Sequence, residues 1–327
     1  MHNTVLSSAL ALGGPPPLTW LRVLTSWRAQ PGMLAMVVVL IGGYALGVRR
    51  QRVEGQPWPW SRTACFVAGM ALIALVELSF LGVYDDVLFW PRAVQNVMLL
   101  MVVPMLLALG MPITLIRDLM PARWRARLSR VLHSQPARAL TFPLVVTVLL
   151  VVPLPLLYFS PLYELTLRDP VASGLSGLVV TLTGFGYFWS RFRLDPTPRQ
   201  DSYGVTLVIT IVEMIGDAVL GVVLWLGPLV AAAYYSGLAR DWGPSLRTDQ
   251  VIGAGVLWIG GDVIALPFIA VIFSRMARED ERHAARIDAD LDAAALPSAP
   301  VRSESAGEAP RLWWEDDPQL SQRFRRR

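Results

Sequence analysis

The stretch from Trp90 to Ile116 constrains the fold more than any other part of the chain. From Ala93 onward it is apolar, and its interruptions are Gln95, Asn96, two prolines, one glycine and one threonine. A helix needs about 20 mostly apolar residues to cross the hydrocarbon core of a bilayer, so this stretch predicts a membrane-spanning helix. Its first turns carry the polar side chains of Arg92, Gln95 and Asn96, and a functional hypothesis must explain what they contact.

Apolar runs of similar length recur along the chain, which is 54% hydrophobic and 17% charged. Such runs are typical of polytopic membrane proteins, whereas soluble domains alternate apolar and polar residues. We predict an all-α bundle of seven transmembrane helices, at residues 32–48, 63–83, 93–116, 140–160, 171–190, 204–227 and 250–273.

The distribution of arginine predicts the orientation of this bundle, since the chain contains no lysine. Arginines are concentrated after the first, third, fifth and seventh runs, whereas the alternate connections are richer in acidic residues. By the positive-inside rule, the arginine-rich connections are cytoplasmic, which predicts the N-terminus outside and the C-terminus in the cytoplasm. The net charge of +4 reflects these connections and the tail, so it does not indicate a nucleic-acid partner.

Four segments are expected in the chain. Residues 1–30 are predicted to form an extracytoplasmic or interfacial leader, and residues 31–276 the seven-helix membrane domain. Residues 277–294 are charged and periodic, which predicts a cytoplasmic helical extension of the last span. Residues 295–327 are rich in Pro, Ser, Ala and charge, a composition typical of a disordered tail.

Four carboxylates fall inside the predicted spans, namely Glu77, Glu213, Asp217 and Asp262. Ionisable groups in a membrane are costly and are therefore functional hypotheses by default. Glu213 and Asp217 are four residues apart, so they share one helix face. Two interpretations remain open. The carboxylates form a polar pocket that holds a proton or a cation, or they are protonated groups that hydrogen-bond neighbouring helices.

Met98, Met101 and Met105 recur at helical spacing below the polar head of the third run. Thioether sulfur suits Cu(I), but methionine is also a common filler of apolar cores. The single cysteine, Cys65, excludes an internal disulfide and a CxxC metal pair. None of the three histidines lies in a predicted span, and no nucleophile elbow, zinc-protease motif, P-loop or dinucleotide fingerprint occurs. The sequence therefore indicates neither an enzyme nor a resident cofactor, with copper as the one weak candidate.

Six segments carry a resemblance to a known family. They are PWPWSRTACFVAGMALIALVELS at 57–79, GVYDDVLFWPRAVQNVMLLMVVPMLLALGMPITLI at 82–116, PLYELTLRDP at 161–170, LDPTPRQDS at 194–202, AAAYYSGLARDWGPSLRTDQVIGAGVLWIGGD at 231–262 and AREDERHAARIDADLD at 277–292. These segments are similar, in order and with few gaps, to the CtaG family of cytochrome c oxidase assembly proteins, the group associated with caa3-type oxidases.

The resemblance implies histidine motifs that this chain lacks. Family members carry an HxxQH-like motif on the third span, an HxxEH-like motif on the fifth, and a histidine close to the position of Asp217. The matching positions of the first two motifs are Arg92, Gln95, Asn96, Ser173, Ser176 and Gly177. Because a copper site needs imidazole or sulfur, the fold and membrane context carry over while the copper chemistry does not. Family-like polarity is kept at Gln95, Asp249, Gln250 and Asp262.

Three functional hypotheses follow. The resemblance implies an accessory or assembly factor for a respiratory cytochrome c oxidase, acting as a scaffold in a bacterial plasma membrane with terminal oxidase subunits and membrane lipids as partners. The alternative is a small ion or proton-coupled carrier that uses the intramembrane carboxylates. A third possibility keeps copper, bound by Met98, Met101 and Met105 together with ligands from a partner. In each case Arg92 is expected to form a surface ion pair with Asp85 or Asp86, an interaction that contributes little to stability. The oligomeric state, the identity of the oxidase and any metal binding remain open.

Overall fold

The computed structural model describes residues 15–132, 134–135, 142–192 and 203–295. Within these ranges all regular structure is helical and no strand occurs, as expected for an all-α fold. The predicted tail at 295–327 lies outside the described residues except for its first residue, and so do residues 1–14 of the predicted leader.

The described residues form sixteen α-helices, numbered in chain order. They are α1 Trp20–Thr25, α2 Pro31–Val53, α3 Trp60–Leu78, α4 Phe80–Tyr84, α5 Phe89–Val97, α6 Val103–Leu109, α7 Pro112–Leu119, α8 Ala122–Leu132, α9 Pro143–Val151, α10 Pro153–Tyr158, α11 Leu162–Arg168, α12 Pro170–Phe192, α13 Tyr203–Leu226, α14 Ala232–Gly237, α15 Leu246–Gly255 and α16 Gly261–Ala295. A π-helical turn at Met98–Val102 joins α5 to α6, and another at Val256–Gly260 joins α15 to α16.

Several helices are long and apolar enough to cross a membrane. Within the described residues there are four, at Pro31–Val53, Trp60–Tyr84, Phe89–Leu109 and Pro170–Phe192. A fifth results if the pair Val145–Tyr158 and Leu162–Arg168, bent by 69°, is one broken span. These helices agree with the predicted membrane class, whereas the count of seven spans and the orientation of the termini remain predictions.

A buried aromatic group fixes the end of the third span. The Tyr44 hydroxyl donates a hydrogen bond to the carbonyl of Gly110 at 2.7 Å and accepts one from the Trp58 indole at 3.2 Å. The Tyr44 ring stacks on Phe66 with a centroid distance of 4.1 Å. Met111 then adopts the left-handed backbone conformation, with φ of 52°, and ends the helix. Helices α2, α3 and α6 are thereby joined at this end of the bundle.

The π-helical turn at Met98–Val102 forms the contact between the third span and α12. Pro104 follows this turn and has no N–H to donate to the carbonyl of Leu100, four residues earlier. Gly184 of α12 packs there so closely that a Cβ atom at this position would lie 2.0 Å from the Leu100 oxygen and 2.7 Å from Pro104 Cγ. Small residues at such contacts let two membrane helices approach to backbone distance.

The chain separates into two compact units, Met1–Ser274 and Arg275–Arg327. The first contains the packed core. The second is described as far as Ala295, where helix α16 ends. Residues 277–294 lie within that helix, and their location in the cytoplasm remains a prediction.

Candidate functional site

The N-terminus of α5 is capped by a carboxylate from a distant helix. Leu88, which precedes α5, supplies no capping side chain. Asp249 of α15 takes this role, since its carboxylate accepts hydrogen bonds from the backbone N–H groups of Phe89 at 3.0 Å and Trp90 at 3.1 Å. A carboxylate at this end of a helix also compensates the helix dipole. The cap therefore fixes the head of the third span against α15.

Gln250, the next residue, joins α15 to the end of α13. Its amide nitrogen donates to the carbonyls of Leu224 at 2.7 Å and Pro228 at 2.9 Å, and its amide oxygen accepts from the N–H of Val230 at 2.8 Å. Both Asp249 and Gln250 are almost completely buried. Their bonds explain why polar residues occupy a buried position at the start of a predicted span, because buried polar groups must be paired.

Arg92 lies at the head of α5 and is buried. Its guanidinium donates to Asp85 Oδ2 at 2.9 Å and to Ser173 Oγ at 3.0 Å. It also donates to the backbone carbonyl of Thr166 at 3.0 Å. One side chain thus connects α5, the turn before it, the end of α11 and the start of α12. Such multiple hydrogen bonding uses the planar, forked geometry of the arginine side chain.

A second arginine completes this group. Arg28, in the segment before α2, lies 3.2 Å from Asp86 Oδ2 and 3.9 Å from Asp85 Oδ1. Arg92 also lies 3.8 Å from Asp86, so two arginines face two aspartates. We call Arg28, Asp85, Asp86, Arg92 and Ser173 the Arg92 cluster.

The expectation of a surface ion pair at Arg92 was wrong. The side chains of Arg92 and Asp85 are each 6% exposed. The pair is buried because Arg92 lies between the turn that contains Asp85 and the helices that contain Thr166 and Ser173, and it hydrogen-bonds all three. Removing one partner of a buried pair is costly, since the other charge is left uncompensated in a low dielectric.

Gln95 and Asn96 also make interhelical hydrogen bonds. Gln95 donates to the carbonyl of Val76 at 3.1 Å, and Asn96 donates to the Tyr158 hydroxyl at 2.8 Å. Tyr158 was not predicted as a partner of the polar head. The available indication was its phenol in an apolar run, because a buried tyrosine hydroxyl usually finds a hydrogen-bond partner.

The family-motif positions on the third and fifth spans are only partly brought together. Ser173 bonds directly to Arg92. Ser176 instead lines an apolar groove of about 510 Å³ beside the bent pair of helices. A Cβ at Gly177 would lie 3.5 Å from Leu99 and 3.7 Å from Glu77 Oε1. The contact between Arg92 and Ser173 is therefore the one side-chain hydrogen bond among these motif positions in the described residues.

The four carboxylates of the predicted spans lie in different surroundings. Glu213 accepts hydrogen bonds from the Tyr187 hydroxyl at 2.6 Å and from Thr147 at 3.3 Å. Asp217 Oδ2 lies beside Gly261, the residue before Asp262, since a Cβ there would be 3.2 Å away, whereas Glu77 Oε1 faces Gly177 of α12. Glu77 therefore lies beside α12 and Asp217 beside the start of α16, while a shared polar pocket stays a prediction. Tyr187 and Thr147 were not identified from sequence.

The donor atoms at the head of α5 do not suit a copper ion. They belong to a guanidinium, two amides and hydroxyl groups, and a guanidinium has no lone pair to offer a metal. Of the methionines predicted at helical spacing, Met101 is buried and Met98 and Met105 are half-buried. Within the described residues, no group of three His, Cys, Asp or Glu side chains is placed to hold a metal ion.

We expect Asp85, which lies in the turn before α5, to make the stability of the protein depend on pH. Burial raises the pKa of its carboxyl to about 6, against the opposing effect of Arg92 and with a smaller raising effect of Asp86. The raised pKa makes its full contribution to stability below pH 3.8, the pKa of the unfolded state. This contribution is lost as the pH rises through about 6.

We therefore expect the free energy of unfolding in detergent to fall by up to about 3 kcal/mol over that interval, at 1.36 kcal/mol per pKa unit. Thermal unfolding at a series of pH values measures this, and Asp85→Asn should flatten the profile. A wild-type profile without this fall, or an equally steep one in Asp85→Asn, would contradict the assignment.

Comparison with known proteins gives these positions a family context. The family model for the cytochrome c oxidase caa3 assembly factor matches residues 42–279. The chain belongs to this family. The match includes α3, α5 with the Arg92 and Asp249 contacts, and α12 with Ser173, and it confirms the resemblance inferred from the sequence segments. It gives no support to the ion-carrier alternative.

The curated relatives of this assembly-factor family member are uncharacterised. Proteins of Mycobacterium bovis and Mycobacterium tuberculosis are each 29% identical over 286 residues, which cover 85% of this chain and 43% of theirs. A Mycobacterium leprae protein is 27% identical over 289 residues, with the same coverage. The chain therefore spans less than half the length of these relatives. No solved structure matches the chain.

Proposed function

We propose that this protein is a non-catalytic membrane scaffold that helps to assemble a respiratory cytochrome c oxidase in a bacterial plasma membrane, without binding copper at the head of its third span. The family match supports the role in assembly. The observation that carries the scaffold role is the hydrogen bond of 3.0 Å between Arg92 and Ser173. Arg92 and Ser173 stand at positions that match histidines in the family motifs, and here the guanidinium of Arg92 donates directly to Ser173.

The charge of Arg92 supports the absence of copper. Its guanidinium carries a fixed positive charge, which repels a metal cation, and its hydrogen bonds already use Asp85, Thr166 and Ser173. A metal ion in a membrane protein could hold three helices together, and the Arg92 cluster makes the same connections with hydrogen bonds. The cluster therefore stabilises the arrangement of helices that an oxidase subunit would contact.

Apolar helix faces support contact with a membrane partner. On α12, four large side chains are between 52% and 59% exposed, namely Leu175, Leu178, Val179 and Leu182. Helices in lipid associate through van der Waals packing rather than through the hydrophobic effect, so such a face can accept a partner helix. We propose terminal oxidase subunits as these partners.

Affinity purification from native membranes tests this proposal. After crosslinking, a tagged copy should recover oxidase subunits above the level found with an unrelated tagged membrane protein, and gene deletion should lower the amount of assembled oxidase. Metal analysis of the purified protein should find copper far below one ion per chain. Unchanged oxidase levels in the deletion strain, with no subunit recovered, would contradict the scaffold role, and stoichiometric copper would contradict its metal-free character.

A further inference from the structure

Helix α8, Ala122–Leu132, carries an unusual charge pattern. Its eleven residues include four arginines, at positions 123, 125, 127 and 130, and no acidic residue occurs between Asp118 and Glu164. In the described ranges, no carboxylate lies within ion-pair distance of these four arginines. Four positive charges therefore lie on one short helix with no carboxylate partner among the described residues.

The apolar residues of α8 lie on one side of the helix. At 100° per residue, Trp124, Leu128 and Val131 form one stripe, and Ala126 lies on the opposite side. Trp124 is 47% exposed and Val131 is 63% exposed. Three of the arginines, 123, 127 and 130, lie together along one edge of this stripe, and Arg125 lies along the other edge. An apolar stripe between rows of arginine is typical of helices in the plane of a membrane surface.

Contacts within and before α8 keep these groups in place. Arg125 donates to the carbonyls of Asp118 at 3.3 Å and Met120 at 3.4 Å, which connects the helix to the end of α7. The guanidinium of Arg127 lies 4.8 Å from the centre of the Trp124 ring. An isolated helix of this length is marginal in water, so the helix needs a surface that covers its apolar stripe.

We infer that α8 binds the surface of an anionic lipid bilayer. Its apolar stripe enters the boundary between headgroups and acyl chains, as Trp at a membrane interface does, and its arginines contact anionic headgroups. The opposite charge selects anionic lipid over another apolar surface. This inference does not depend on the role in oxidase assembly, because none of the residues of α8 belongs to the Arg92 cluster.

Site-directed labelling of the full chain tests the position of the helix. In a Cys65→Ala background, a spin label is attached after Val131→Cys or, as the matched control, after Ala126→Cys. Both proteins are reconstituted in phosphatidylcholine vesicles with and without phosphatidylglycerol. We expect the label at 131 to be protected from a water-soluble relaxation agent when phosphatidylglycerol is present, and the label at 126 to stay accessible. Equal accessibility at the two positions, or protection at 131 that is the same without anionic lipid, would overturn the inference.

A charge variant tests the role of the arginines. The triple variant Arg123→Gln, Arg127→Gln and Arg130→Gln should reduce protection at 131 in anionic vesicles. The equilibrium constant between lipid-bound and solvent-exposed α8 should fall roughly fivefold per arginine, since each contributes about 1 kcal/mol near such a surface. The control removes the same charge elsewhere, with Arg49→Gln, Arg50→Gln and Arg52→Gln, and should leave protection at 131 unchanged. An equal loss in both triple variants would show that α8 is not the binding element.

Discussion

We expect Arg92→Met to lower the free energy of unfolding by about 3–5 kcal/mol at about pH 7.5, the cost of breaking a buried ion pair. Met fills a similar volume but leaves the Asp85 carboxylate, which is 6% exposed, without its partner at 2.9 Å. Ser173 and the Thr166 carbonyl lose their hydrogen bonds in the same substitution. Burial raises the pKa of Asp85 to about 6 beside Arg92, and loss of Arg92 removes an effect that lowers this pKa. Asp85 should therefore be protonated at about pH 5, and the loss of stability should be smaller there.

A double variant and an exposed ion pair control this experiment. Asp85→Asn combined with Arg92→Met removes both charges and should recover part of the lost stability. Arg168 pairs with Glu164 at 2.6 Å, but its side chain is 59% exposed, so Arg168→Met should cost less than about 1 kcal/mol. Steric trapping or thermal unfolding in detergent measures all four proteins. An Arg92→Met loss no larger than that of Arg168→Met would show that the Arg92 cluster is not a stabilising element.

Hydropathy predicted the four helices that are long and apolar enough to cross a membrane, but not where helices bend. The run at 140–160 was predicted as one span, whereas the structure has a bent pair with an angle of 69° that continues to Arg168. Average hydropathy is insensitive to direction, so it cannot distinguish a straight span from two shorter helices. The π-helical turn at Met98–Val102 was not predicted for the same reason, since one extra residue in a turn leaves hydropathy unchanged.

The polar head of the third span was predicted in its residues but not in its burial. Arg92 and Asp85 are seven positions apart, and this proximity predicted their ion pair. Ser173 and Thr166 are 81 and 74 positions from Arg92, and their contacts depend on tertiary packing. Without those contacts the pair was expected at the surface. The family resemblance did indicate positions 92 and 173, yet it gave no reason to expect a hydrogen bond between them.

The acidic residues illustrate a similar limit. Helical spacing placed Glu213 and Asp217 on one face, and both residues lie in the continuous helix α13. Glu77 was grouped with them because all are carboxylates inside predicted spans, and its Oε1 faces Gly177 of α12, a contact that spacing within one helix could not predict. Spacing in the sequence indicates which residues are neighbours within one helix. The arrangement of different helices depends on contacts between them, such as that of Gly184 with Leu100.

Replacing Gly184 by Val should cost about 3 kcal/mol, the upper part of the range for overpacking a close contact. A Cβ at this position would lie 2.0 Å from the Leu100 oxygen, which is a backbone atom and cannot move alone. Helix α12 must therefore separate from the third span. Gly186, two residues further on the same helix, has nothing within 4 Å of its Cβ position, so Gly186→Val should change stability by less than about 0.5 kcal/mol. Unfolding in detergent measures both, and equal losses would contradict the close contact.

The same substitution tests whether Gly184 positions Ser173. Both residues lie on α12, and a displacement of this helix at Gly184 should lengthen the bond of 3.0 Å between Ser173 and Arg92. Arg92→Met should then cost less in the Gly184→Val background than in the wild type, because residues that share a network are non-additive. A double-variant cycle measures this coupling. Additive losses would mean that the Arg92 cluster forms independently of the approach of α12 to Leu100, and that the charged head and the close glycine contact stabilise the third span separately.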